Sequence, residues 1–110
     1  YWVSHVDRYD PALKGFFDKY KERTGTECQE FMNAVMAYDC VYWLKDAIER
    51  AQSTAPAKVR DALEQTANLK LLHCTLTMDE FHNPKDKDGV MLKCDPEQRK
   101  ALFFRKVRPE

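Results

Sequence analysis

Apolar residues in the first two thirds of the chain recur every three or four positions, which is the spacing of one helix face. The first run starts where Asp10 can cap a helix and Pro11 can fill its first position, and the run ends near Gly25. Glycine suits that end because it readily adopts the left-handed backbone of a helix terminus. Two further runs predict helices over residues 31–51 and about 56–66.

The pattern changes in the last third of the chain, where apolar and β-branched residues no longer follow the helical spacing. We expect a strand over residues 71–78 and hairpin strands over residues 90–94 and 102–107. The aromatic and β-branched residues 1–5 predict one more strand. Helices followed by strands are typical of an α+β fold. The expected architecture is three helices followed by a small antiparallel hairpin sheet.

The length of 110 residues is that of one domain. We expect residues 1–110 to form it, with a helical part at about 10–66 and a β-hairpin part at about 71–107. The 18 Lys and Arg residues balance the 18 Asp and Glu residues, so no net field attracts nucleic acid. No apolar run approaches the ~20 residues that cross a bilayer. The sequence thus predicts no nucleic-acid partner and no membrane insertion.

The predicted helix over residues 31–51 carries two apolar stripes, and its polar edge at Asp39, Asp46 and Arg50 is narrow. A helix of this kind needs neighbours on both sides. Its large side chains, with those of the first helix, are interpreted as core. The alternative is a self-association surface that forms a homodimer. That surface would comprise Phe16, Phe17, Tyr20, Met36, Cys40 and Trp43.

The four cysteines and three histidines show no spacing typical of a metal site or of nucleophilic catalysis. For Cys28, Cys40, Cys74 and Cys94 we expect free thiols, with a Cys74–Cys94 disulfide as the open alternative. His73 and Cys74 are neighbours on a predicted strand, where adjacent side chains point to opposite faces. The sequence therefore predicts no metal site, no cofactor, no catalytic residue and no enzyme activity.

Several segments resemble one protein family. Residues 37–54 read AYDCVYWLKDAIERAQST. They resemble the AYDAVYLL and AIERAGST segments of type I periplasmic solute-binding proteins, the branched-chain amino-acid receptors of ABC transporters. Residues 15–25 and 59–64 are similar to the helices on either side of that motif, and residues 75–84 (TLTMDEFHNP) resemble the family hairpin GTITFDENGNP. The resemblance covers nearly the whole chain in the order of the family.

This resemblance implies a fragment of a two-lobed α/β binding-protein fold, its last third, with hinge crossings near residues 2–5 and 90–94. A full member closes over a small amino-acid-like solute and serves a transporter permease. The resemblance also implies a place in the cell envelope, periplasmic or extracellular. It implies that this chain alone is incomplete for ligand binding.

Four positions depart from the family pattern. Asn33 occupies the one ligand-lining position that the resemblance carries over, where the family often has an aromatic ring. Cys74 and His82 replace hairpin glycines, and Ala55 replaces an Asp cap before Pro56.

The leading hypothesis is a non-catalytic solute-binding-protein-related domain of an amino-acid receptor. The alternative is a truncated or engineered structural module that self-associates through its apolar helix faces. The apolar helix faces are too apolar to be left in water. In the first hypothesis the rest of a binding protein covers them, and in the second another copy of the module does.

Overall fold

The computed structural model describes residues 1–85 and 87–108, so residues 86, 109 and 110 of the expected domain lie outside the described residues. In chain order the elements are β1 (Trp2–Ser4), a 3₁₀ turn (Pro11–Leu13), α1 (Lys14–Thr24), α2 (Phe31–Ala51), α3 (Pro56–Glu64), β2 (Leu69–Lys70), β3 (Thr75–Leu76), β4 (Gly89–Asp95) and β5 (Lys100–Val107). Within the described residues these helices and small antiparallel sheets confirm the predicted α+β fold class.

The chain divides into two compact units. The first unit consists of Tyr1–Val35 with Asp88–Glu110, and the second of Met36–Lys87. This division differs from the predicted helical and hairpin parts because β1 pairs with β4, which joins the start of the chain to its last third. The single domain stays a prediction.

The sheet of the first unit has the strand order β1-β4-β5, with both pairs antiparallel. In β1, Trp2 lies opposite Leu92 and Ser4 lies opposite Val90. The two segments expected to cross a hinge are therefore hydrogen-bonded neighbours. Leu92 at the centre of the sheet is buried, as are Val6 and Leu13.

The first helical run forms as expected. The Asp10 carboxylate accepts the Ala12 N–H at 2.9 Å, and Pro11 opens a short 3₁₀ turn that leads into α1. At the far end Gly25 has φ +74°, the left-handed conformation that glycine adopts without strain. These contacts confirm both ends of the predicted helix.

The helix α2 has the predicted bounds, but its buried line is shifted from the predicted stripes. Val35 and Ala47 are fully buried and Asp39 is 3% exposed, whereas Val41 and Leu44 are 66% and 46% exposed. Positions four apart stack along one helix face, which explains the regular spacing of the buried residues. Asp39, which the sequence placed on the polar edge of this helix, is therefore a buried residue.

Of the strand predicted over residues 71–78, Thr75–Leu76 forms as β3, and the continuous strand is wrong. Two short strands, β2 and β3, pair antiparallel, with Leu69 opposite Leu76. Between them the Leu71 N–H donates to the Cys74 carbonyl at 2.8 Å, which continues the pairing of the two strands. Residues 72 and 73 form the bend, and residues 71–74 are here called the 71–74 turn. A Leu71–Cys74 turn of this kind interrupts the strand and redirects the side chains within it.

All four cysteines are free thiols, as predicted. Cys74 and His82 stand where the family pattern has glycine. His82 has φ +65°, a conformation that glycine adopts without strain, which explains the family preference for glycine there. Cys74 is not among the positive-φ residues. Among the described helices, none is long and apolar enough to span a membrane.

The start of α3 offers a test of local capping. Ala55 has the extended backbone of an N-cap (φ −63°, ψ 126°), but its side chain makes no cap hydrogen bond to the first turn. We expect Ala55→Asp to raise the free energy of unfolding by about 1 kcal/mol because a carboxylate there accepts free N–H groups. Chemical denaturation measures the change.

The variant Ala55→Asn separates capping from charge, since it accepts the same hydrogen bonds without a negative charge. Ala55→Lys is the matched control and should give no gain. Equal stabilities of the Asp and Lys variants would contradict an unfilled cap at this position.

Candidate functional site

Asp39 places a carboxylate inside the second unit. It lies on α2 and its side chain is 5% exposed. One oxygen accepts the Leu72 N–H at 2.8 Å and the other accepts the His73 N–H at 3.3 Å. A buried carboxylate needs such donors, because burial without partners is costly. Asp39 thus fixes the 71–74 turn against α2.

His73 adds an imidazole to the same place. Its Nδ1 hydrogen-bonds to the Asp39 carboxylate, and the side chain is 7% exposed. A carboxylate only accepts hydrogen bonds, so Nδ1 supplies the proton of this contact. Within the part of the chain that the structure describes, Nε2 of His73 is buried without a hydrogen-bond partner.

Cys74 completes a cluster of three potential metal ligands, here called the Asp39 cluster (Asp39, His73 and Cys74). One ligand atom from each residue lies within 4.8 Å of the others. Burial raises the pKa of the Cys74 thiol; the Lys87 charge opposes this effect and the Asp39 charge adds to it. The thiol is therefore not an activated nucleophile at neutral pH.

Sequence reasoning missed this cluster for a specific reason. It placed His73 and Cys74 on a continuous strand with opposite side-chain directions, and it did not connect either residue with Asp39. The 71–74 turn removes the strand, and α2 supplies the carboxylate across 34 residues of sequence. The sequence offered a His–Cys pair in one segment and the Asp of the family motif in a distant one, and spacing alone does not bring the two segments together.

A second polar network surrounds Thr66, which is 2% exposed. Its Oγ1 accepts the Trp43 indole N–H at 2.7 Å and an Arg50 guanidinium N–H at 3.0 Å. Arg50 also donates to the Ala62 carbonyl at 2.6 Å. Trp43 is one member of the predicted association surface. The hydrogen bond of its indole N–H to Thr66 holds it in the second unit.

The predicted ligand position Asn33 is exposed near the start of α2, where its amide donates to Glu30 at 3.4 Å. A cleft of about 300 Å³ opens beside it in the first unit, lined by Trp2, Ser4, Gln29, Glu30, Phe31, Met32, Leu92 and Ala101. Asn33 is not one of the lining residues. Ser4 donates to the Val6 carbonyl at 2.8 Å and contacts the Met32 sulfur at 3.7 Å.

The predicted association surface is for the most part half-buried. This holds for Phe16, Phe17, Tyr20, Met36 and Trp43, whereas Cys40 is exposed. The large apolar side chains of α2 that are exposed are instead Tyr38, Val41, Tyr42 and Leu44, with exposed fractions of 40, 66, 48 and 46%. The rings of Tyr38 and Tyr42 contact each other with centroids 4.7 Å apart. The predicted surface itself stays a prediction.

Comparison with known proteins places this architecture. No protein-family profile matches the chain, and no curated protein sequence matches it. Among solved structures, the leucine-binding protein LivK of Thermotoga maritima is similar, with a TM-score of 0.75 and 25% identity. The match covers 97% of this chain and 30% of the leucine-binding protein. The fold is therefore that of a fragment of a type I periplasmic binding protein, as the resemblance implied.

The Asp39 carboxylate can be tested by removing its charge alone. We expect Asp39→Asn to lower the free energy of unfolding by about 1–3 kcal/mol, because the amide group turns a donor toward one of the three N–H groups that Asp39 accepts. Urea denaturation followed by circular dichroism measures this loss.

Asp18→Asn is the control. Asp18 pairs with Lys14 on the exposed surface of α1, where its side chain is 62% exposed. Such pairs contribute little, so this variant should unfold like the parent chain. An Asp39→Asn chain of unchanged stability would contradict the structural role of the carboxylate.

Proposed function

We propose that the chain is a non-catalytic, solute-binding-protein-related domain of an amino-acid receptor of the cell envelope. In this proposal it contributes part of a binding site for a small amino-acid-like solute, which a transporter permease then receives. The observation that carries the proposal is the match of 97% of this chain to a leucine-binding protein at a TM-score of 0.75. The chain spans 30% of the length of that protein.

The surface of the first unit supports the proposal. Its sheet leaves large side chains in water: Tyr1, Trp2 and Val3 are 76, 60 and 65% exposed, and Phe103 and Phe104 are 51 and 47% exposed. Exposed apolar patches of this kind mark surfaces that another polypeptide covers. In the proposal, additional polypeptide that corresponds to the remaining part of the binding protein covers these side chains, and ligand binding requires that polypeptide.

A chimera tests the proposal. The matching 30% of the leucine-binding protein is replaced by this chain, and titration calorimetry measures the binding of free amino acids. We expect heat from the chimera and none from this chain alone, because two lobes must close to remove the solute from water. A folded chimera that binds no amino acid would contradict the proposal.

The role proposed for Asn33 is tested in the same chimera. Asn33→Ala should change the affinity or the preferred amino acid, because it changes a side chain beside the ligand. Glu49→Ala, an exposed substitution near the end of the same helix, is the matched control and should bind like the parent chimera. Identical titrations for both variants would remove Asn33 from the site without affecting the family-level proposal.

The exposed face of α2 favours a second candidate function, a module that self-associates. Tyr38, Val41 and Tyr42 lie on neighbouring turns and are 40–66% exposed. Residues spaced three and four apart form a continuous strip on a helix. A second copy that covered this strip would bury these side chains in a homodimer.

This candidate predicts a dimer that persists in reductant, measured by light scattering over a concentration series. Val41→Glu should then dissociate it, because burying an unpaired carboxylate is costly. Ala57→Glu, at an exposed position of α3, is the control that should leave the dimer intact. A parent chain that stays monomeric at all concentrations would exclude self-association.

A further inference from the structure

We propose that the Asp39 cluster binds one Zn²⁺ ion. The cluster combines a carboxylate, an imidazole and a thiol, whose ligand atoms lie within 4.8 Å of one another. Zinc accepts all three ligand types. Calcium and magnesium prefer oxygen ligands alone, so the nitrogen and sulfur donors select against them.

The surroundings of the cluster hold the ligands in place. The Leu72 and His73 N–H groups fix the Asp39 carboxylate, and the Leu71 N–H to Cys74 carbonyl bond joins the two ends of the turn that carries the other two ligands. Groups that orient ligands in this way strengthen metal binding. The Asp39 and His73 side chains are 5% and 7% exposed, so little water competes for them.

Metal binding requires only small movements of these side chains. In a tetrahedral zinc site with bonds of 2.0–2.3 Å, neighbouring ligand atoms lie about 3.3–3.8 Å apart. The three ligand atoms already lie within 4.8 Å of one another, so a bound ion requires shifts on the order of 1 Å. Three protein ligands leave one position of a tetrahedral site unfilled by protein.

Zinc binding moves one proton within the His73 ring and releases another from Cys74. The ion replaces the proton between His73 Nδ1 and the carboxylate, and this proton moves to Nε2. Nε2 has no hydrogen-bond partner among the described residues, so the change of tautomer breaks no other bond. The Cys74 thiol releases its proton to solvent and binds as the thiolate, as metal coordination requires. One proton is released for each ion bound.

Cobalt titration tests the site, because a Co²⁺–thiolate bond produces a charge-transfer absorption in the near ultraviolet. We expect the band to saturate at one equivalent of Co²⁺ and to disappear when Zn²⁺ is added. Cys74→Ser should abolish the band. His73→Asn should weaken Co²⁺ binding at least about tenfold. Circular dichroism checks that each variant is folded.

Matched controls separate this site from the other thiols and imidazoles. Cys94→Ser and His82→Asn change exposed residues outside the cluster, and both should titrate like the parent chain. A parent chain without the band, a Cys74→Ser chain that keeps it, or a Cys94→Ser chain that loses it would each overturn the proposal. The Cys74 variant does not touch the hydrogen bonds of Asp39, so it remains informative if Asp39 variants fail to fold.

Discussion

A single buried carboxylate determines how the second unit is built. The buried Asp39 carboxylate needs hydrogen-bond donors, and the 71–74 turn supplies two backbone N–H groups and an imidazole. This requirement explains why the turn interrupts a segment of apolar and β-branched residues that was expected to continue as one strand. It also explains why His73 and Cys74, which are neighbours in sequence, both lie close to the Asp39 carboxylate.

The helices could be predicted from the sequence because their signals are local. Asp10 and Pro11 begin the first helical run and Gly25 ends α1, and both boundaries depend on backbone geometry within a few residues. The same holds for the bounds of α2 and for the strands β4 and β5. The fold class followed from this order of elements, whereas the binding-protein resemblance rested on sequence motifs such as residues 37–54 and 75–84.

The candidate site could not be predicted because it depends on distant contacts. Asp39 was assigned only to the polar edge of α2, since helical spacing alone cannot show that a turn 33 residues later donates to it. The break between β2 and β3 was missed for the same reason. Asn33, by contrast, was proposed as a ligand position because of the family resemblance. The cleft of the first unit is lined by Phe31 and Met32, which precede Asn33 in the sequence, and not by Asn33 itself.

The indole of Trp43 makes the second unit observable by itself. The chain has two tryptophans: Trp43 donates to the buried Thr66, whereas Trp2 in the first unit is 60% exposed. A half-buried, hydrogen-bonded indole and one in water emit fluorescence at different wavelengths. The emission spectrum therefore contains a separate reporter for each unit, and replacing Trp2 by phenylalanine leaves a fluorophore that records the unfolding of the second unit alone.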